Sequence, residues 1–121
     1  MLCNINFIRN DNLNDFNLEN IKLSSFKVSH GDLKDSYGYV LDNIAFTGDT
    51  SYCDSIKGIS KKVDYIITDT TMKIGNHNHM GIDNIKDISN NNPNLKIITT
   101  HMGIESKKKL QKITHSFLYK T

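Results

Sequence analysis

Apolar positions along the chain fall into short runs separated by polar, turn-forming clusters. Ile21 to Ser29 alternates in part, with Ile21, Leu23, Phe26 and Val28 apolar, and predicts a strand ending at His30-Gly31. Ser36 to Leu41 predicts a second strand, Asp42-Asn43 a two-residue turn, and Ile44 to Thr47 a third strand, so that the last two form a hairpin. Val63 to Thr68 and Leu95 to Thr100 are apolar and β-branched, the signature of buried strands, the first covered on both faces. Between these runs the period lengthens. Ile56 and Ile59 within 51–61, Ile82, Ile85 and Ile88 within 80–90, and Ile104, Leu110, Ile113 and Phe117 within 104–118 predict three helices, the last with these four side chains inward. Lys57, Lys61 and Lys62 stand near the end of the first helix, where cations suit its dipole, and Asn90-Asn91-Asn92-Pro93 stops the second. At the start, Ile5 to Ile8 predicts an edge strand, and 10–20 a polar loop. A strand-rich start followed by strand–helix alternation, without repeat or linker, predicts one α/β unit over 1–121.

Composition narrows the function only by exclusion. At 121 residues the chain supports a modest core, and a hydrophobic content of 37% is ordinary for a soluble protein. No apolar run is long enough to span a membrane, and Met1-Leu2-Cys3-Asn4 does not open a signal peptide, so the expected location is the cytoplasm. The net charge of +2, from 15 basic and 13 acidic residues, does not argue for nucleic acid. The local cluster Lys107-Lys108-Lys109 with Lys112 reads as a solvated helix face. Cys3 and Cys53 form no CxxC pair and are expected as free thiols in a reducing compartment.

The candidate chemistry sits where the apolar runs end. Val28-Ser29-His30, Phe46-Thr47-Gly48-Asp49, Ile66-Ile67-Thr68-Asp69 and Ile98-Thr99-Thr100-His101 each close a strand with a metal ligand or proton-transfer group. His79, after the Gly75 loop, opens a helix and is a fifth candidate. Taken singly each has a plain reading. Gly48-Asp49 is a turn, Thr68 and Asp69 cap one, a histidine after a strand is a surface residue, and His77 and His79 face solvent from a Gly/Asn-rich loop. Taken together they matter more. The C-terminal ends of parallel strands share one sheet edge, where ligands bind. Imidazoles and a carboxylate gathered there suit Zn²⁺, Mn²⁺ or Fe in a site that activates water.

The succession Val28-Ser29-His30-Gly31, Ser36-Tyr37-Gly38-Tyr39, Phe46-Thr47-Gly48-Asp49-Thr50, Asp69, His79-Met80 and Thr100-His101-Met102 resembles the C-terminal half of a metallo-β-lactamase-fold hydrolase. It is most similar to the ribonuclease Z-like phosphodiesterase branch, over nearly the whole chain from about Ile21 onward. The resemblance implies half of an αββα sandwich, a mixed β-sheet with helices on one face. It implies that His30 ligates one metal, His101 the second, and that Asp49 bridges both. His79 would stabilise charge or protonate the leaving oxygen, oriented by Asp69, which stands where that branch has a glutamate. The activity implied is hydrolysis of a phosphodiester or related ester by metal-bound hydroxide, with two divalent ions, zinc first and manganese or iron as alternatives.

Two departures qualify that picture. The H-x-H-x-D-H signature, which lies in the family's N-terminal half, is absent, and no histidine precedes His30. The chain therefore carries His30, Asp49 and His101 but not the remaining ligands, and is expected to be a truncated or split half, inactive or nearly so alone. The inner sheet face would lie exposed and take a complementary N-terminal half or a second copy. A non-catalytic pairing module is the rival reading. The short stretch between His30 and Asp49 also leaves no room for the substrate-binding insert of tRNA-processing members. It favours small phosphodiester or ester substrates.

Overall fold

The computed structural model of the chain describes residues 16–110 and 117–119. The elements run β1 (Phe16–Leu18), β2 (Ile21–His30), β3 (Leu33–Leu41), β4 (Ile44–Phe46), α1 (Asp54–Ser60), β5 (Tyr65–Asp69), α2 (Ile82–Asn91), β6 (Lys96–Thr100), α3 (Ile104–Leu110) and β7 (Phe117–Tyr119). All seven strands form one sheet in chain order. β1 to β4 pair antiparallel, and β4 to β7 pair parallel through helical crossovers. The sheet is therefore mixed, as expected. Among the described residues no helix is long and apolar enough to cross a membrane.

Tight hairpins set the first half. The registers Leu18↔Ile21, His30↔Leu33 and Leu41↔Ile44 each leave two loop residues. The first loop residue has positive φ in every case, +55° at Glu19, +56° at Gly31 and +50° at Asp42. Such turns match the twist of the flanking strands. Only Gly31 takes that conformation without cost, and there the need is double. A Cβ on Gly31 would lie 2.2 Å from Oδ1 of Asn78.

Two faces follow from strand alternation. Ala45, Ile66 and Ile97 are in register on neighbouring strands. Together with Val28 they meet Ile56 of α1 and Ile85 and Ile88 of α2 in the core. Each fully buried isoleucine there contributes about 1.5–3 kcal/mol. The other face carries Phe46, Ile67 and Ile98, also in register. Phe46 is 37% exposed, whereas Ala45 and Ile66 are fully enclosed. Ile67 and Ile98 are half-buried. The expectation that the Val63 to Thr68 run is covered on both faces is thus corrected: among the described residues helices cover one face, and Ile67 on the other is half-buried.

Other expectations also shift. Part of the polar loop expected over 10–20 is strand β1, and β3 begins at Leu33, ahead of the polar Lys34 and Asp35. In both places hairpin pairing extends the strand through residues whose own pattern is silent. The second helix starts at Ile82, with Gly81 as its N-cap. Met80 turns into the core instead, fully buried. The closing helix is described only to Leu110, and Phe117 and Leu118, expected as helix, belong to β7, which pairs with β6. Ile104, expected inward, is 73% exposed, and Ser106 is buried in its place. The cause is a close approach. Gly103 N–H and Ser106 Oγ both donate to the Thr71 carbonyl, at 3.2 and 2.8 Å, and a bulky side chain would hold α3 away. The Ile5 to Ile8 strand, Cys3, Lys112, Ile113 and the side chains of Leu110 and Phe117 lie outside the described residues. Cys53 is a free thiol.

Candidate metal centre

β2, β4, β5 and β6 all point the same way, because two antiparallel steps restore direction and the rest are parallel. Their C-terminal ends share one edge, and His30, Asp49, Asp69 and His101 arrive there together. Past β4, Thr47 extends the pairing through its N–H to the Ile67 carbonyl at 3.0 Å, and Gly48 then turns the chain at φ +63°. The next residues are fastened on both sides. Ser51 N–H donates to the Ser29 carbonyl at 2.7 Å, and Thr50 N–H to Asp69 Oδ2 at 3.2 Å. Asp49 is left on a fixed backbone with its carboxylate turned outward, 45% exposed.

Asp69 has the opposite character. Its side chain is fully enclosed and accepts from Thr50 N–H and His79 Nδ1 on Oδ2, and from Thr71 N–H and Oγ on Oδ1. These four bonds occupy both lone pairs of each oxygen. Asp49, Asp69, His79 and His101 are close enough to surround one cation. Asp69 has no lone pair left for it, so we exclude it from the ligand set and assign it to orientation of His79.

The three imidazoles stand in a row. The His79 ring centroid is 5.1 Å from that of His30 and 5.3 Å from that of His101. His79 is held by its loop rather than by a helix end, contrary to expectation. Asn76 Oδ1 accepts from the backbone N–H of Asn78 and of His79, each at 2.9 Å. Nδ1 of His79 is 2.6 Å from Asp69 Oδ2, so Nδ1 donates to that carboxylate and Nε2 points away from it. Nδ1 of His30 likewise donates to the Asn78 carbonyl at 2.7 Å. Its Nε2 faces Asp49 Oδ2 at 4.0 Å. Nδ1 of His101 lies 2.9 Å from Asp49 Oδ1, and His101 itself has a φ of +52°.

These contacts test the fit of a cation. Nε2 of His30 and Oδ2 of Asp49 face each other at 4.0 Å, too far apart for a hydrogen bond. A divalent ion suits that gap, and mixed nitrogen and oxygen donors suit zinc, manganese or iron. Thus all five candidates, His30, Asp49, Asp69, His79 and His101, meet at one edge. His77 does not join them. It lies outside, 69% exposed, with Nε2 3.4 Å from Asp32. Sequence reading missed the supports Thr50, Thr71, Asn76 and the Asn78 carbonyl. Of these only Asn76 carried a signal, as an Asx-turn residue ahead of His79. A separate cleft of about 310 Å³, bordered by Tyr52, Lys57, Lys61 and Asp87, lies between α1 and α2 and shares no residue with this cluster.

No family model and no curated protein sequence matches this chain. Solved structures do. A diphosphatase of the PhnP family superposes with a TM-score of 0.70 and 18% identity, over 87% of this chain and 42% of that one. The metallo-β-lactamase-fold protein YhfI of Bacillus subtilis gives 0.68 and 16%, over 88% and 49%. An isothiocyanate hydrolase from Delia radicum gut bacteria gives 0.67 and 13%, over 88% and 53%. The chain has the metallo-β-lactamase fold, as half of its sandwich, and spans about half the length of these structures.

Proposed function

We propose that this chain supplies one side of a two-metal hydrolytic centre acting on a phosphodiester or related ester. The observation that carries the reading is the gathering of His30, His79 and His101 around the Asp49 carboxylate, with His30 Nε2 facing it at 4.0 Å. His30, Asp49 and His101 would hold the ions. Divalent ions held there, zinc or alternatively manganese or iron, lower the pKa of water and offset phosphate charge. The chain's own groups do the rest. Asp69 fixes the His79 ring with Nε2 outward, where it can hold or deliver a proton at the leaving oxygen. Preference for a phosphodiester rests on the likeness to the ribonuclease Z-like branch.

The ligand set is incomplete among the described residues. Three ligands shared between two ions hold them weakly, so the lone chain would turn over slowly or not at all. The remaining ligands would come from a complementary half that seats on the second sheet face. Zinc binding by the purified chain, followed by equilibrium dialysis, and hydrolysis of an activated phosphodiester test this. Weak zinc binding that depends on Asp49, with little turnover, supports the reading. Stoichiometric zinc with robust turnover by the lone chain sinks the incompleteness, and zinc binding indifferent to Asp49 sinks the metal centre.

The in-register row Phe46, Ile67 and Ile98 favours a second reading. In it the chain is a non-catalytic module that pairs through that face with another half-domain or with itself. A stable monomer by size-exclusion chromatography, unchanged by concentration, removes it.

A further inference from the structure

His30 and Asp49 follow strands that are not neighbours. In the sheet β3 stands between β2 and β4, and two strand spacings amount to about 9.5 Å. The two side chains nevertheless approach to 4.0 Å. The ladder alone does not bring them together, so the chain after β4 must cross toward β2. β4 leaves its pairing with β3 after Phe46, and the crossing chain reaches Ser29, the residue before His30.

Ser29 is free to receive it. The register of β2 on β3 shifts between Val28 and His30 and passes over Ser29, an irregularity of the kind that re-aims a side chain. The Ser29 backbone bonds to the crossing chain instead. Its carbonyl accepts from Ser51 N–H at 2.7 Å and from Ser51 Oγ at 3.2 Å. Thr50 adds contacts from its side chain. Its Oγ1 accepts from Ser29 N–H at 3.4 Å, and its own proton is shared between the Ser51 carbonyl at 2.8 Å and the Ser29 carbonyl at 3.2 Å. Thr50 is fully buried, and its N–H donates to Asp69. One residue therefore bonds the backbone next to His30, follows Asp49 in sequence and holds Asp69.

We propose that the Thr50 hydroxyl is a positioning group that keeps His30 and Asp49 at the spacing of a shared ligand pair. This deepens the metal-centre reading and rests on it for the word ligand, but the strap between Thr50 and Ser29 is measurable in the full chain without metal. Thr50→Val removes the hydroxyl and nearly keeps the shape, whereas Thr50→Ser keeps the hydroxyl. Zinc affinity, read by competition with a coloured chelator, should fall at least about tenfold in Thr50→Val. In the metal-free chain, amide exchange at Ser51, whose N–H donates to Ser29, should quicken in the same variant relative to core amides such as that of Ile97. Thr50→Ser should match the parent in both measurements. Ser60→Ala is the control for a general loss of stability, because Ser60 is 2% exposed and its hydroxyl bonds within α1, to the Ile56 carbonyl at 2.7 Å. It should leave zinc affinity and the relative exchange at Ser51 as they are. If Thr50→Val does not fold, Thr50→Ser and Thr50→Ala differ by the same hydroxyl and make the comparison. Parent-like zinc binding in Thr50→Val, an equal loss in Ser60→Ala, or unchanged exchange at Ser51 would each overturn the proposal. A parent that binds no zinc, with exchange at Ser51 still following the hydroxyl, would instead strike the metal-centre reading alone, and Thr50 would still hold the two strand ends together.

Discussion

Oδ2 of Asp69 lies 2.6 Å from Nδ1 of His79, at the floor of the site, and the carboxylate has no solvent exposure. Four donors converge on it from Thr50, Thr71 and His79. Asp69 therefore ties β5, the loop after β4 and the loop before α2 into one support for the imidazole. Asp69→Ala leaves those donors without an acceptor, and each buried one costs about 1–3 kcal/mol. Denaturant unfolding should show a loss of about 3 kcal/mol or more. Asp69→Asn keeps one acceptor oxygen and should lose less. In a reconstituted enzyme it should still lower turnover about 10–100-fold, because the His79 ring loses its orienting charge. Equal stability of Asp69→Ala and the parent would refute this support.

Asp49 and His101 are expected to separate binding from stability. Their side chains are 45% and 55% exposed, so Asp49→Asn should change unfolding free energy by no more than about 0.5 kcal/mol. The same change removes one charged oxygen from the ligand set. Zinc affinity, measured by competition with a coloured chelator, should fall at least tenfold. A variant that keeps the parent's affinity would show that Asp49 is not a ligand.

The residues that reach the sheet edge were legible in sequence because each follows an apolar run. His30, Asp49, Asp69 and His101 needed only the strand assignment and the rule that parallel strands end together. What fixes their orientation was not legible. The Asn78 carbonyl reaches His30 across 48 positions of chain, and a backbone oxygen leaves no residue type to read. β1 and the first part of β3 exist because a hairpin partner extends them, against their own composition. Ile104 misled because helix periodicity marks an apolar side, while the contact with Thr71 has room only for Gly103 and Ser106. Patterns of residue type report burial well and close backbone approach badly.

Gly31→Ala should weaken the coupling between His30 and its loop. The left-handed backbone alone costs an alanine about 1–2 kcal/mol. Its Cβ would also press on Asn78 Oδ1, next to the carbonyl that holds His30 Nδ1. Thermal unfolding should register the loss. Long-range proton–nitrogen spectra should register more: the His30 ring should shift from the single Nδ1–H tautomer toward a mixture. A ring signal identical to the parent's would mean that Gly31 serves the turn alone.

Tyr52 links the start of α1 to α2 through a short hydrogen bond from its hydroxyl to Asp87. Burial first, then the bond to Asp87 and its charge, hold the phenol well above the ordinary tyrosine range. The folded chain thus keeps a proton that the unfolded chain releases near pH 10, a value typical of free tyrosine, roughly. This contribution is complete below that pH and is lost as the pH rises above it. The thermal midpoint of the parent should fall more steeply above about pH 10 than that of Tyr52→Phe. Tyr52→Phe should also cost about 1 kcal/mol at neutral pH, from the lost bond. Parallel pH profiles would exclude Tyr52 as the source.

Ile66 and Ile67, neighbours on β5, face opposite sides of the sheet and should respond oppositely. Ile66 is fully enclosed against the helices, and Ile66→Ala should cost about 2–5 kcal/mol of folding free energy through lost burial and the cavity left behind. Ile67 is only half-buried and sits in the row with Phe46 and Ile98. Lysine can lie along such a surface with its amine in water, so Ile67→Lys should leave the unfolding midpoint nearly unchanged in the lone chain. Where that face seats a second half-domain or a second copy, the same lysine places a charge inside the contact without a partner. Association should then weaken by several kcal/mol, on the order of 3. Sedimentation across a concentration series, with and without a candidate half-domain, reads the difference. If Ile67→Lys destabilises the lone chain as much as Ile66→Ala does, the second face is covered within the chain itself and is no docking surface.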